Sequence, residues 1–142
     1  MKKLLIATHG YLADGFKSSL SILTGQQDQV QYINAYVDES DYTDALEAFI
    51  DSVGPDDQGV IFTDIYGGSV CQRVLLQQPA SHGIFHVTGA NLGLVIEVLL
   101  TDKPITREYL EGAIEAARST MRIVEEEAPQ SPQEDSADDF FA

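Results

Sequence analysis

Three short segments of this 142-residue chain hold residue types that could do chemistry together. Thr8-His9-Gly10 closes an apolar run, Asp64 heads the segment Asp64-Ile65-Tyr66-Gly67-Gly68-Ser69, and Gly89-Ala90-Asn91 closes another. A neutral imidazole attacks through one nitrogen only while its proton sits on the other. A carboxylate that accepts this proton fixes the tautomer and steadies the charge that develops when phosphorus is attacked. Gly67-Gly68 lets the backbone approach an anion closely, and Ser69 opens a helical stretch whose free N–H groups favour phosphate oxygens. His9 and Asp64 are therefore the candidate catalytic pair, with Gly67, Gly68 and Ser69 as candidate phosphate-binding residues. A histidine at a strand end is, by itself, more often merely exposed; the matching loop makes this one a candidate nucleophile.

The elements that must position these residues alternate between strand and helix patterns. Leu4 to Thr8 is a short apolar run of the kind buried in a parallel sheet. Leu12, Phe16, Leu20 and Leu23 recur at helical spacing, and Gly25 can close that helix. A strand is expected over 30–37, then a helix capped by Asp41 and stopped at Gly54-Pro55. The second half repeats the scheme, with strands over 59–63 and 83–88 and a helix after each. Asn91 is expected to cap the helix that runs to Leu100, and Thr106 to start the last one. Met121 to Val124 is expected either to extend that helix or to form a short edge strand.

This alternation predicts an α/β fold, a three-layer α/β/α sandwich on a mainly parallel sheet of four strands with a C-terminal antiparallel edge strand. Ligands in open sheets of this kind bind at the carboxyl ends of the strands, where strand order reverses. With the order 2-1-3-4, the first and third strands are neighbours and His9 faces Asp64 across that point.

Composition narrows the function classes. The length suits one domain with a core of its own, and the lone Cys71 cannot form an internal disulfide. The apolar run after Met1-Lys2-Lys3 stops at Thr8, too soon for a secretory leader, and nothing approaches a membrane span. A cytoplasmic protein is expected. The formal charge is −15, of which residues 125–142 contribute −7 with no Lys or Arg. Such a surface repels nucleic acid and anionic membranes and would steer a basic partner toward it. Residues 126–142 form an acidic segment of Pro, Gln, Ser and acids whose composition reads as disordered, ending near Phe140-Phe141.

His9-Gly10-Tyr11-Leu12-Ala13, Asp64-Ile65-Tyr66-Gly67-Gly68-Ser69 and Gly89-Ala90-Asn91-Leu92 together resemble the IIA component of the mannose-type sugar phosphotransferase system. The resemblance spans about residues 2–125, so 1–125 reads as the IIA-like domain. It implies that His9 takes a phosphoryl group from the carrier HPr and passes it to a IIB component, with Asp64 on the imidazole and the 67–69 turn on the phosphate. It also implies a homodimer that exchanges a C-terminal strand, here Met121 to Glu125. Membrane contact would come only through the IIC and IID components. Mannose-specific members carry Thr-Trp where this chain has Ile65-Tyr66. No fused IIB unit is seen, so a stand-alone IIA is expected, without cofactor or metal.

Other titratable residues read more plainly. His82 lies in a polar turn, His86 sits inside a strand as a core or interface residue, and neither has the spacing of a metal site. Cys71 reads as a small buried residue. Arg73, one turn beyond Ser69, could reach a phosphate or an acidic group, or simply pack on its helix. A histidine-phosphatase-like hydrolase would need an Arg where Thr8 stands and more cationic groups. A dihydroxyacetone-kinase phosphocarrier would show Ser in place of Gly10 and a shorter aspartate motif. A regulatory phosphoprotein that signals through a partner remains an alternative.

Overall fold

The computed structural model describes residues 1–126. Its sheet is parallel throughout and runs in the order β2 (Val30–Ala35), β1 (Lys2–His9), β3 (Gln58–Thr63), β4 (Ile84–Thr88). The central position of β1 follows from its side chains, which are apolar on both faces of the pleat. Leu4 and Ile6 pack with Val60 and Phe62 against α1 (Leu12–Thr24), α4 (Leu92–Leu100) and α5 (Arg107–Arg118). Leu5 and Ala7 pack with Ile33 and Ile61 against α2 (Thr43–Ser52) and α3 (Ser69–Leu76). Two cores on opposite faces give the three-layer sandwich and the 2-1-3-4 order expected from the sequence.

Local chemistry sets most element ends. Gly25 closes α1 in the left-handed conformation, which costs glycine nothing. Asn91 accepts the Leu94 N–H at 2.8 Å and Thr106 accepts the Tyr109 N–H at 3.1 Å, so α4 and α5 begin where the sequence places their caps. Asp41 accepts the Thr43 N–H at 2.9 Å, one residue ahead of the formal cap Tyr42.

One expectation is corrected, and the segment after α5 takes neither of its expected forms within a single chain. The strand expected through Val37 ends at Ala35, because Tyr36 turns into the left-handed region at φ 68°. Met121 to Glu125 neither extends α5 nor pairs with the sheet. Ser119 and Thr120 hydroxyls bond the Ala116 and Ala117 carbonyls at 2.7 and 2.6 Å, competing with the helical ladder as it ends. Beyond them Met121, Ile123 and Val124 are exposed, and the outer edge of β4 has no partner among the described residues. The acidic segment lies outside the described residues from 127 onward.

Candidate active site

The register of the sheet brings the site together. Ala7 of β1 lies opposite Thr63 of β3, so His9 at the end of one strand and Asp64 just past the other leave the sheet side by side. Gly10 takes φ 58° and donates its N–H to the Ala35 carbonyl at 2.8 Å, turning the chain away directly after His9. The imidazole therefore stands at the carboxyl edge of the sheet, at the point where strand order reverses.

Asp64 holds this histidine by its main chain and its ring. One carboxylate oxygen, Oδ2, accepts the His9 backbone N–H at 2.8 Å and lies 2.9 Å from Nδ1. The other, Oδ1, accepts the Ile65 N–H at 3.0 Å. The carboxylate side chain is only 6% exposed, against 38% for the imidazole. Burial opposes its charge, yet the hydrogen bonds from His9, backbone before ring, and the charge of His9 outweigh it. The Asp64 carboxyl stays below its ordinary range. An ionised carboxylate only accepts, so in the neutral imidazole Nδ1 carries the proton and Nε2 keeps the lone pair.

Nε2 faces the candidate anion cradle. Ser69 Oγ lies 3.1 Å away and is the group placed to donate to that lone pair. Gly67 takes φ 79°, and a side chain on Gly68 would meet the Ile65 carbonyl at 3.2 Å and the His9 ring at 3.4 Å. Both glycines are therefore required by the turn and by its close approach to the imidazole. The ladder of α3 starts with the Gln72 N–H on the Gly68 carbonyl at 2.9 Å. The N–H groups of Ser69, Val70 and Cys71 are left at the open end of the helix, beside Nε2. All five predicted site residues thus meet at one place.

Two residues that the sequence reading passed over also meet there. Tyr36 donates its hydroxyl to Ser69 Oγ at 2.9 Å and holds its ring 5.6 Å from that of His9. Tyr42 stands behind it, edge-on at 5.7 Å between ring centroids. Arg73 reaches neither His9 nor Ser69. It pairs with Asp41 at 3.2 Å, bonds Thr43, and covers the Tyr42 ring at 5.2 Å, so it anchors the wall rather than the nucleophile.

The other singled-out residues lie elsewhere. His86 is half-buried with Nε2 2.9 Å from Thr63 Oγ1, burial lowering its pKa; His82 is exposed in a turn and Cys71 is buried. Among the described residues no group of three His, Cys, Asp or Glu gathers in a metal-binding arrangement. No described helix is long and apolar enough to cross a membrane.

Residues 3–117 match the family described as PTS system fructose IIA component, of the phosphotransferase system. Among solved structures, a candidate phosphoenolpyruvate-dependent sugar phosphotransferase permease of Klebsiella pneumoniae is 27% identical. It covers 86% of this chain and 90% of its own, with a TM-score of 0.76. The mannose/sorbose-specific IIA subunit of Enterococcus faecalis is 20% identical, covers 92% of this chain and 100% of its own, and superposes with a TM-score of 0.76. A phosphotransferase system component EIIA of Streptococcus agalactiae is 24% identical, with coverages of 87% and 97% and a TM-score of 0.69. At those lower identities the likeness is one of fold. No curated protein sequence matches the chain.

Proposed function

The chain belongs to the PTS system fructose IIA component family, and on that premise we propose that it is a phosphocarrier in which His9 takes a phosphoryl group and gives it up again. The observation that carries this reading is the imidazole pinned through Nδ1 to Asp64 at 2.9 Å, which leaves Nε2 as the attacking nitrogen on the Ser69 side of the ring. Transfer makes a bond from the Nε2 lone pair to phosphorus, while the pair of the broken bond returns to the donor. The proton stays on Nδ1, where Asp64 stabilises the cationic phosphoimidazole ring. The open end of α3 and the 67–69 turn offer N–H groups to the phosphoryl oxygens.

The partners we propose are phosphorylated HPr as donor and a IIB component as acceptor, with IIC and IID making the membrane contact in a cytoplasmic reaction. Residues 1–125 would be the working IIA unit. Exposed Tyr11, Leu12, Ile65 and Tyr66 lie just after His9 or Asp64 in the chain and offer a docking rim. We further propose a homodimer in which Met121 to Glu125 pairs with β4 of a second copy. The edge of β4, without a partner among the described residues, a groove of about 490 Å³ beside it and the exposed side chains of Met121, Ile123 and Val124 support that arrangement.

Incubation with phosphoenolpyruvate, enzyme I and HPr, followed by intact mass, tests the carrier reading. One acid-labile phosphoryl group is expected on wild type and none on His9→Ala. A folded wild type left unmodified beside charged HPr would overturn it, and a hydrolase reading would take its place.

A further inference from the structure

The hydrogen bonds around His9 continue beyond Ser69. Asp64 fixes the proton on Nδ1, so the Nε2 lone pair needs a donor and Ser69 Oγ, 3.1 Å away, supplies its hydrogen there. Ser69 Oγ then accepts from the Tyr36 hydroxyl at 2.9 Å. The Tyr36 oxygen in turn lies 3.4 Å from the Tyr42 hydroxyl. The Tyr36 hydrogen is already given to Ser69, so its oxygen is left to accept from Tyr42. The chain is therefore directional, with each hydroxyl hydrogen pointing toward Nε2.

A second, independent observation concerns the backbone. Tyr36 has φ 68°, a conformation that glycine takes freely and a bulky residue rarely does. The residue is 56% exposed, so core burial does not hold it there. Its visible contacts are the His9 ring, the Ser69 hydroxyl and Tyr42. Strain retained at such a place marks function rather than packing. Tyr42 is fixed from behind by Arg73, itself paired with Asp41.

We propose that Tyr36 is a phosphoryl-contacting residue, whose hydroxyl aims Ser69 at Nε2 before transfer and donates to a phosphoryl oxygen after it. This rests on the carrier reading given above. Before transfer, Ser69 Oγ is the hydrogen-bond partner of Nε2, 3.1 Å away. As the Nε2 pair forms the new bond and the donor's ring nitrogen recovers the old one, Nε2 ceases to be an acceptor. The Ser69 and Tyr36 hydroxyls lose their orientation toward it and gain the anionic phosphoryl oxygens instead, with no proton gained or lost.

The test compares wild type, Tyr36→Phe, Ser69→Ala and the double variant for single-turnover phosphorylation by phospho-HPr and for the lifetime of the phosphohistidine. Tyr36→Phe keeps the ring and removes only the hydroxyl. Its transfer should slow by about tenfold or more, the worth of one hydrogen bond to a charged group, and its phosphohistidine should decay at a changed rate. The double variant should be little worse than the slower single one, because both act through one chain. Tyr36→Gly should melt at or above wild type while transferring as slowly as Tyr36→Phe. Wild-type rate and lifetime in Tyr36→Phe, or single effects that multiply in full, would overturn the proposal with the carrier reading intact. A wild type that takes no phosphoryl group would overturn both.

Discussion

Asp64 works at the scale of single atoms, since one carboxylate oxygen serves both the backbone and the ring of His9. Replacing it by an amide leaves the shape and removes the charge that stabilises the phosphorylated ring. Asp64→Asn should therefore fold yet transfer more slowly by on the order of 100-fold; unchanged single-turnover kinetics would end its orienting role. The same carboxyl predicts a stability profile. Its folded pKa is lowered, so the stability it supplies is fully present above the ordinary carboxylate value of about 4 and is lost as pH falls through the lower folded value. The stability gap between wild type and Asp64→Asn should be widest near neutrality and close in acid, as denaturant titrations at several pH values would show. His9, Asp64 and the 67–69 turn were legible because their residue types announce their chemistry. Tyr36 and Tyr42 were not, since a tyrosine at a strand end reads as strand, and the positive φ that aims Tyr36 is set by the folded site.

Elements were legible where one residue carries the physics. Asn91, Thr106 and Gly25 each act within a single turn of chain, the first two starting α4 and α5 and the third closing α1 as expected. Lys2 shows the opposite case: its ammonium bonds the Val98, Leu99 and Thr101 carbonyls at 2.7–2.9 Å. That cap on the last turn of α4 joins residues almost a hundred positions apart, beyond the reach of local pattern. Arg73 was open between phosphate and packing for the same reason, because its partners Asp41 and Thr43 come from another element. The segment after α5 carries the remaining prediction at this scale. Since α5 ends at Arg118, a chain cut after Thr120 should keep its fold and lose the proposed dimer. Sedimentation should give a dimer for the whole chain and a monomer for the shortened one. A dimer surviving the cut would remove Met121 to Glu125 from the interface.

At the scale of the molecule, the layer order was readable from the alternation of apolar strands with amphipathic helices. The two cores then follow from the pleat, which sends Leu4 and Ile6 to one face and Leu5 and Ala7 to the other. That arrangement puts the carboxyl ends of β1 and β3 together and makes the site a rim feature, open to a protein partner, rather than an enclosed cavity. The net charge of −15 favours partners with a basic face. The account as a whole turns on one atom, Nε2 of His9. Phosphorylating the ring-labelled protein with phospho-HPr and reading phosphorus–nitrogen couplings by NMR would locate the new bond. The account predicts a phosphoryl group on Nε2 with the proton retained on Nδ1 beside Asp64. A phosphoryl group on Nδ1, or on any residue other than His9, would contradict it.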